Sequence, residues 1–243
     1  MKKLFLLSFV FLIGLSILVS ATDTPRFPDQ LNKTERGRHS PMGVKSLEAL
    51  AGNISYLSIY TEAVTQAWQG YIGNISGTIV LDDANNRTLY DWALPNPSGE
   101  VYATRSNSIN WSTGNIICAN NSVITNEELA LNINNAEDMD SINRTFNMTF
   151  SGDIYVATNH ITAASNCRQA NLYVSDAWEN SGIFKEILLY DIANNKTIYT
   201  AIIHKGYAVG YDGNTYNFQL IVPEDGHYGD TSTTTYYFYV EIQ

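Results

Sequence analysis

The stretch "IVLDDANNRTLY" at residues 79–90 is written almost again as "LLYDIANNKTIY" at residues 188–199. A turn repeated between apolar, β-branched runs leaves a chain little choice but antiparallel hairpins. With Ala84 set against Ala193, Asp82 matches Asp191, Asn85 and Asn86 match Asn194 and Asn195, Thr88 matches Thr197, and Tyr90 matches Tyr199. Asn tolerates left-handed backbone and Asp accepts backbone hydrogen bonds at a turn entry, so Asp-X-Ala-Asn-Asn closes a hairpin without glycine. Two readings follow. Hairpin chemistry is a small menu and has converged, or the chain carries two related β units around a Cys-containing middle.

The rest of the body extends the pattern. "ISYLSIYTE" at 54–62 is apolar and β-branched and reads as a strand, as do "GEVYAT", "GDIYVAT" and "ANLYVSDAW". In "YAVGYDGNTYNFQLIVP" apolar residues alternate on either side of Asp212-Gly213, where glycine supplies the positive φ of a tight hairpin. The last run places Tyr236, Phe238, Val240 and Ile242 on one face. One helical patch interrupts: Thr125 and Glu128 have capping-box spacing, and Leu129, Ile133, Ala136 and Met139 follow at helical intervals to near Ser141. The expected fold is all-β, with sandwich or jelly-roll-like antiparallel sheets and one short helix.

Three regions are marked out. Residues 1–21 have the charged start, apolar run and Val19-Ser20-Ala21 small-residue site of a secretory signal peptide. The apolar run is short for a bilayer span, and none of that length follows, so no transmembrane anchor is expected after cleavage. Residues 22–45 form an arm with Pro25, Pro28 and Pro41, five bases and three acids, and read as an extended or flexible linker. Residues 46–243 form an acidic body with seven bases and twenty-one acids, divisible into halves 46–120 and 150–243 joined by the helical segment. That balance argues against nucleic acid as a partner, because phosphate contacts need Lys and Arg. It leaves self-association, or binding of other envelope components, as the interactions to expect; a basic arm can dock on the acidic body of a neighbour.

Two cysteines, Cys118 and Cys167, allow one pairing, and a secretory signal implies an oxidising compartment, so a disulfide is predicted. Nine Asn-X-Ser/Thr sequons, at Asn32, Asn53, Asn74, Asn86, Asn110, Asn120, Asn143, Asn147 and Asn195, suit a surface glycoprotein. No nucleophile elbow, His-Glu-X-X-His or phosphate loop is present, and the four histidines are dispersed, so no catalytic residue is assigned and no cofactor is expected. Acidic turns supply the hard oxygens Ca²⁺ takes, with Asp138, Asp140, Asp225 and Asp230 as candidates, though none follows the Ca²⁺-hand loop pattern. Trp68, Trp92, Trp111 and Trp178 either stack on sugars or fill the cores between sheets.

The segments "AWQGYIGNISGTIVLDDANNRTLYDW", "NLYVSDAW" and "YDGNTYNFQLIVPEDGHYGDTSTTTYYFYVEIQ" resemble secreted, β-rich surface proteins of archaea, chiefly small-genome lineages, over about 51–243. The resemblance implies a secreted or envelope protein of unassigned activity and carries no catalytic residue with it. The expected function is a glycosylated surface component with a structural, adhesive or assembly role. The rival is a secreted carbohydrate-binding module or glycoside hydrolase, which would show exposed Trp and Tyr beside paired carboxylates in a groove.

Overall fold

The computed structural model describes residues 24–34, 37, 48, 50–59, 64–133, 138–172, 182–225 and 233–243. The expected signal at 1–21, half of the arm (22, 23, 35, 36 and 38–45), Trp178 and Asp230 lie outside the described residues. The strands in chain order are β1 (Trp68–Gly73), β2 (Gly77–Asp82), β3 (Thr88–Leu94), β4 (Gly99–Thr104), β5 (Ile116–Cys118), β6 (Met148–Thr149), β7 (Ile154–Val156) and β8 (Asn159–Ile161). They continue as β9 (Arg168–Asn171), β10 (Lys185–Asp191), β11 (Lys196–Ile202), β12 (Ala208–Val209), β13 (Thr215–Tyr216), β14 (Phe218–Pro223) and β15 (Tyr237–Ile242). Two helices, α1 (Asn121–Ala130) and α2 (Ile142–Thr145), sit between β5 and β6.

The architecture is all-β and antiparallel, as the alternation predicts. A seven-stranded sheet runs β15-β4-β11-β10-β9-β6, with β5 sharing the β10 edge. β4 and β5 from 46–120 thus share one sheet with β9, β10, β11 and β15 from 150–243. Its two faces bury different cores. On one side Val101, Ala103, Leu188, Tyr199 and Ala201 pack under α1 and under the two-stranded β1–β14 layer, through Val123, Ile124, Leu220 and Val222. On the other, Tyr102, Ile187, Leu189, Ile198 and Tyr239, with Ile116 of β5, pack under the β7–β8 hairpin through Ile154, Val156 and Ile161. Full burial of one such side chain is worth about 1.5–3 kcal/mol, so coverage on both faces makes the central strands β4, β10 and β11 the rigid frame.

The disulfide joins Cys118 at the end of β5 to Cys167 beside β9, with Cα atoms 4.9 Å apart. It suits an oxidising compartment. Among the described residues no helix is long and apolar enough to cross a membrane.

The repeated stretch closes twice, and the structure uses it in two ways. Asn86 (φ 58°) and Asn195 (φ 55°) both take the left-handed conformation at exposed tips. In the first turn the accepting carboxylate is Asp83, bonded by the N–H groups of Asn85 and Arg87. In the second it is Asp191, the match of Asp82, bonded by the N–H groups of Ala193 and Asn194. A bulge beside Leu81 shifts the first register, so Tyr90 faces Leu81 while Tyr199 faces Leu188, the counterpart of Ile79. Tyr199 is fully buried in the central sheet, and Tyr90 is exposed on a free-standing ribbon. The turn repeats; the register, burial and neighbours of its strands do not.

Two expectations need correction. The helix begins four residues before Thr125, because the Asn120 side chain accepts from the Val123 N–H and caps it. It stops at Ala130, where Asn132 turns left-handed (φ 53°), so Met139 is not on it and Leu129 faces solvent. Its buried face includes Glu127 and Glu128, and Glu128 accepts from the Asn143 N–H at the start of α2 instead of closing a capping box. The strand expected at 54–62 is absent from every sheet over its described part, 54–59, where all residues are exposed. The arm, in turn, is partly docked: Arg26 exchanges both backbone hydrogen bonds with Val240 on the outer edge of β15, and Phe27 stacks on Tyr239 at 4.4 Å.

Candidate functional site

Three polar clusters stand out. The first lies where β4 meets β15. The register sets Glu100 opposite Glu241 and Tyr102 opposite Tyr239, and the side chains at 100, 102, 239 and 241 share one face. Glu100 is 4% exposed and Glu241 2%. The Tyr102 hydroxyl lies 3.4 Å from Glu100 Oε2 and 3.1 Å from Glu241 Oε2. The Ala157 N–H donates to both oxygens of Glu241, at 3.2 and 2.9 Å, from a backbone held at φ 52° in the β7–β8 turn. An alanine in the left-handed region is strained by about 1–2 kcal/mol, and the hydrogen bond to the carboxylate offsets it. Burial, and secondarily the charge of Glu241, pushes the Glu100 carboxyl up to about 8 against the opposing Tyr102 hydrogen bond. Glu100 therefore keeps its proton at neutral pH, and the two acids sit side by side without two full charges. Trp111 roofs the cluster, with ring centroids 5.1 Å from Tyr102 and 5.4 Å from Tyr239. The pair is sealed from solvent, so no substrate reaches it.

The second cluster lies by the β10–β11 tip. Arg105 forks onto Glu127 of α1 (Nε–Oε1 3.1 Å, Nη2–Oε2 2.7 Å), and the hydroxyls of Thr197 and Tyr199 reach the same carboxylate at 3.3 and 3.4 Å. The bidentate geometry fixes α1 to the sheet. Beside it Thr104, Arg105, Glu127, Asn195, Lys196 and Thr197 line a polar cavity of about 130 Å³, room for a few waters or one small polar group.

The third is Asp191, buried at the turn entry. Burial disfavours its charged form and pushes the carboxyl up, but the Asn110 N–H, the Asn194 and Asn115 side-chain amides and the Asn194 N–H together hold it below the usual range. It ties the 110–115 loop to the hairpin. A lone carboxyl, Glu186, is fully buried in the central sheet with one oxygen on the Ile221 N–H at 2.9 Å and the other without a partner. Burial holds it protonated, well above the carboxylate range.

The sequence-predicted residues are scattered over the surface. Asn32, Asn53, Asn74, Asn86, Asn120, Asn147 and Asn195 are exposed, and Asn110 and Asn143 half-buried. Asn120 also caps α1, and Asn143 accepts from Arg168. Asp138 and Asp140 are exposed, the latter bonded by Thr65; Asp225 is half-buried and accepts from Asn132. Among the described residues no three His, Cys, Asp or Glu side chains gather to hold a metal ion. Trp68 donates to the Asp140 carbonyl and packs on the first core, Trp111 packs on the second, and Trp92 stands exposed on the β2–β3 ribbon beside Tyr90, with centroids 4.8 Å apart.

The ribbon is the remaining surface feature. The β2–β3 pairing sets Ile79 opposite Trp92 and Leu81 opposite Tyr90, which places all four on one face, each 47–58% exposed. Sequence reading found the hairpin but missed both buried acids and the bare apolar face. Comparison with known proteins adds no relative: no family matches the chain, and no curated protein or solved structure is detectably similar.

Proposed function

We propose that this chain is a secreted, glycosylated component of the archaeal cell surface or envelope with an assembly or adhesive role and no catalytic activity. The observation that carries the reading is the β2–β3 ribbon, which turns Ile79, Leu81, Tyr90 and Trp92 to solvent on one face. A contiguous apolar face of this kind on a soluble body marks an interaction site. The disulfide and the surface position of the sequons support export. Against hydrolysis stands the burial of the paired acids Glu100 and Glu241. Fractionation of source cells tests the reading: the protein belongs in the envelope or the medium, disulfide-bonded, and recovery from the cytoplasm with free thiols would defeat it.

A carbohydrate-binding role is the second reading, favoured by the exposed Tyr90–Trp92 pair, since aromatic faces stack on sugar rings. Retention of the mature chain on envelope polysaccharide, lost in the Trp92→Ala variant, would select it over assembly.

A further inference from the structure

An isolated two-stranded hairpin is marginal in water; a third strand, or packing against another element, gives independent stability. The β2–β3 ribbon is such a hairpin: its strands pair only with each other among the described residues, and one face is apolar and bare. The same chain carries the complementary piece. Residues 53–59, "NISYLSI", contain no charge and have strand composition. They belong to no sheet, and Ile54 and Tyr56 are 102% and 93% exposed. An open strand acceptor and an open strand donor thus coexist on one molecule and do not meet.

Resting on the assembly reading above, we propose that residues 53–59 of one copy add as a strand to the β2–β3 ribbon of a second copy. Strand addition supplies backbone hydrogen bonds to the ribbon edge, and Ile54 and Tyr56, two residues apart and so on one side of the added strand, extend its apolar face. The contact joins two different surfaces, so repetition builds an open chain of molecules unless the rotation closes a ring. The sequon at Asn86 sits at the ribbon tip and the one at Asn53 at the donor's start, so glycans at both leave the strands between them clear. The bodies are acidic, with twenty-one acids against seven bases after residue 45. Like charge opposes association and salt screens it, so assembly through this contact strengthens as salt is raised.

The experiment follows the mass of the mature full chain by sedimentation as concentration rises, at low and at high salt. The donor variant I54D/Y56D and the acceptor variant L81D/W92D are run alone and mixed, with circular dichroism and disulfide content confirming that each is folded. The expected result is concentration-dependent growth of the wild type, stronger in high salt. Each variant alone stays monomeric, and the mixture stops at a one-to-one dimer, because only one productive interface remains. A labelled peptide of residues 53–59 is expected to bind the donor variant and not the acceptor variant, which keeps the test decisive where assembly is weak. Monomeric wild type together with failure of the peptide to bind, assembly of either variant as in wild type, or a mixture that forms no dimer overturns the proposal. Assembly that weakens with salt overturns it as well and points to the basic arm. None of these results bears on cellular location, so failure of strand exchange and failure of the surface reading remain separable.

Discussion

Replacing Glu100 by Gln probes the buried acid pair directly. The carboxyl rises from 4.5 in the unfolded chain to about 8 in the fold, chiefly through burial. Below the lower value both states hold the proton and the group has no effect on stability. Between the two, the folded chain keeps the proton while the unfolded chain releases it, so the unfolded state binds fewer protons and stability falls as pH rises. Each pH unit in that window costs about 1.4 kcal/mol, and the full span about 5 kcal/mol. Glutamine keeps the shape and an acceptor for Tyr102, offers its amide to Glu241, and does not titrate. The stability difference between Glu100→Gln and wild type is expected to grow by about 1.4 kcal/mol per pH unit from pH 4.5 to pH 8 and then level off. Urea unfolding of both proteins across that range measures it, and groups outside the Glu100–Tyr102–Glu241 cluster, Glu186 included, cancel in the difference. A difference that stays flat over the window would refute the reasoning and place Glu100 in contact with water.

Removing the disulfide as C118S/C167S frees a loop of 49 residues and is expected to lower stability by about 4 kcal/mol on the chain-entropy model, read by urea midpoint. Asn120→Ala in unglycosylated protein removes the cap of α1 and is expected to cost about 1 kcal/mol in the same assay. Arg26→Pro deletes the N–H that donates to Val240 and is expected to cost about 1 kcal/mol or less, while limited proteolysis at 24–34 accelerates severalfold; an unchanged digestion rate would mean that the arm is held elsewhere.

Alternation made the strands legible. Tyr236, Phe238 and Ile242 pack on the first core as the pattern requires, and Asn86 and Asn195 turn left-handed where the turns were read. The same rule hid the acids. An alternating strand is read as apolar inward and polar outward, which holds when one face meets water. Here both faces of the sheet are covered, so Glu100 and Glu241 point into the second core, Glu186 points into the first beneath β14, and all three look like surface residues in the sequence. Glu127 and Glu128 misled in the same way on α1, where the buried face is half acidic. At 54–59 composition promised a strand, but a strand needs a neighbour, and propensity alone does not say which chain provides it.

The place of β15 sets the order in which the molecule is completed. Tyr102 on β4 meets Glu241 on β15 across 139 residues of sequence, and Arg26 then closes over Val240 from the other end of the chain. During synthesis the edge of β4 stays unprotected until β15 has emerged. A chain so arranged reaches its native sheet late, because its edge pairing waits on contacts of long sequence separation. If the chain is exported as proposed, that delay has a use: the polypeptide stays threadable through a translocation channel, and the sheet locks only on the far side, where the Cys118–Cys167 thiols oxidise.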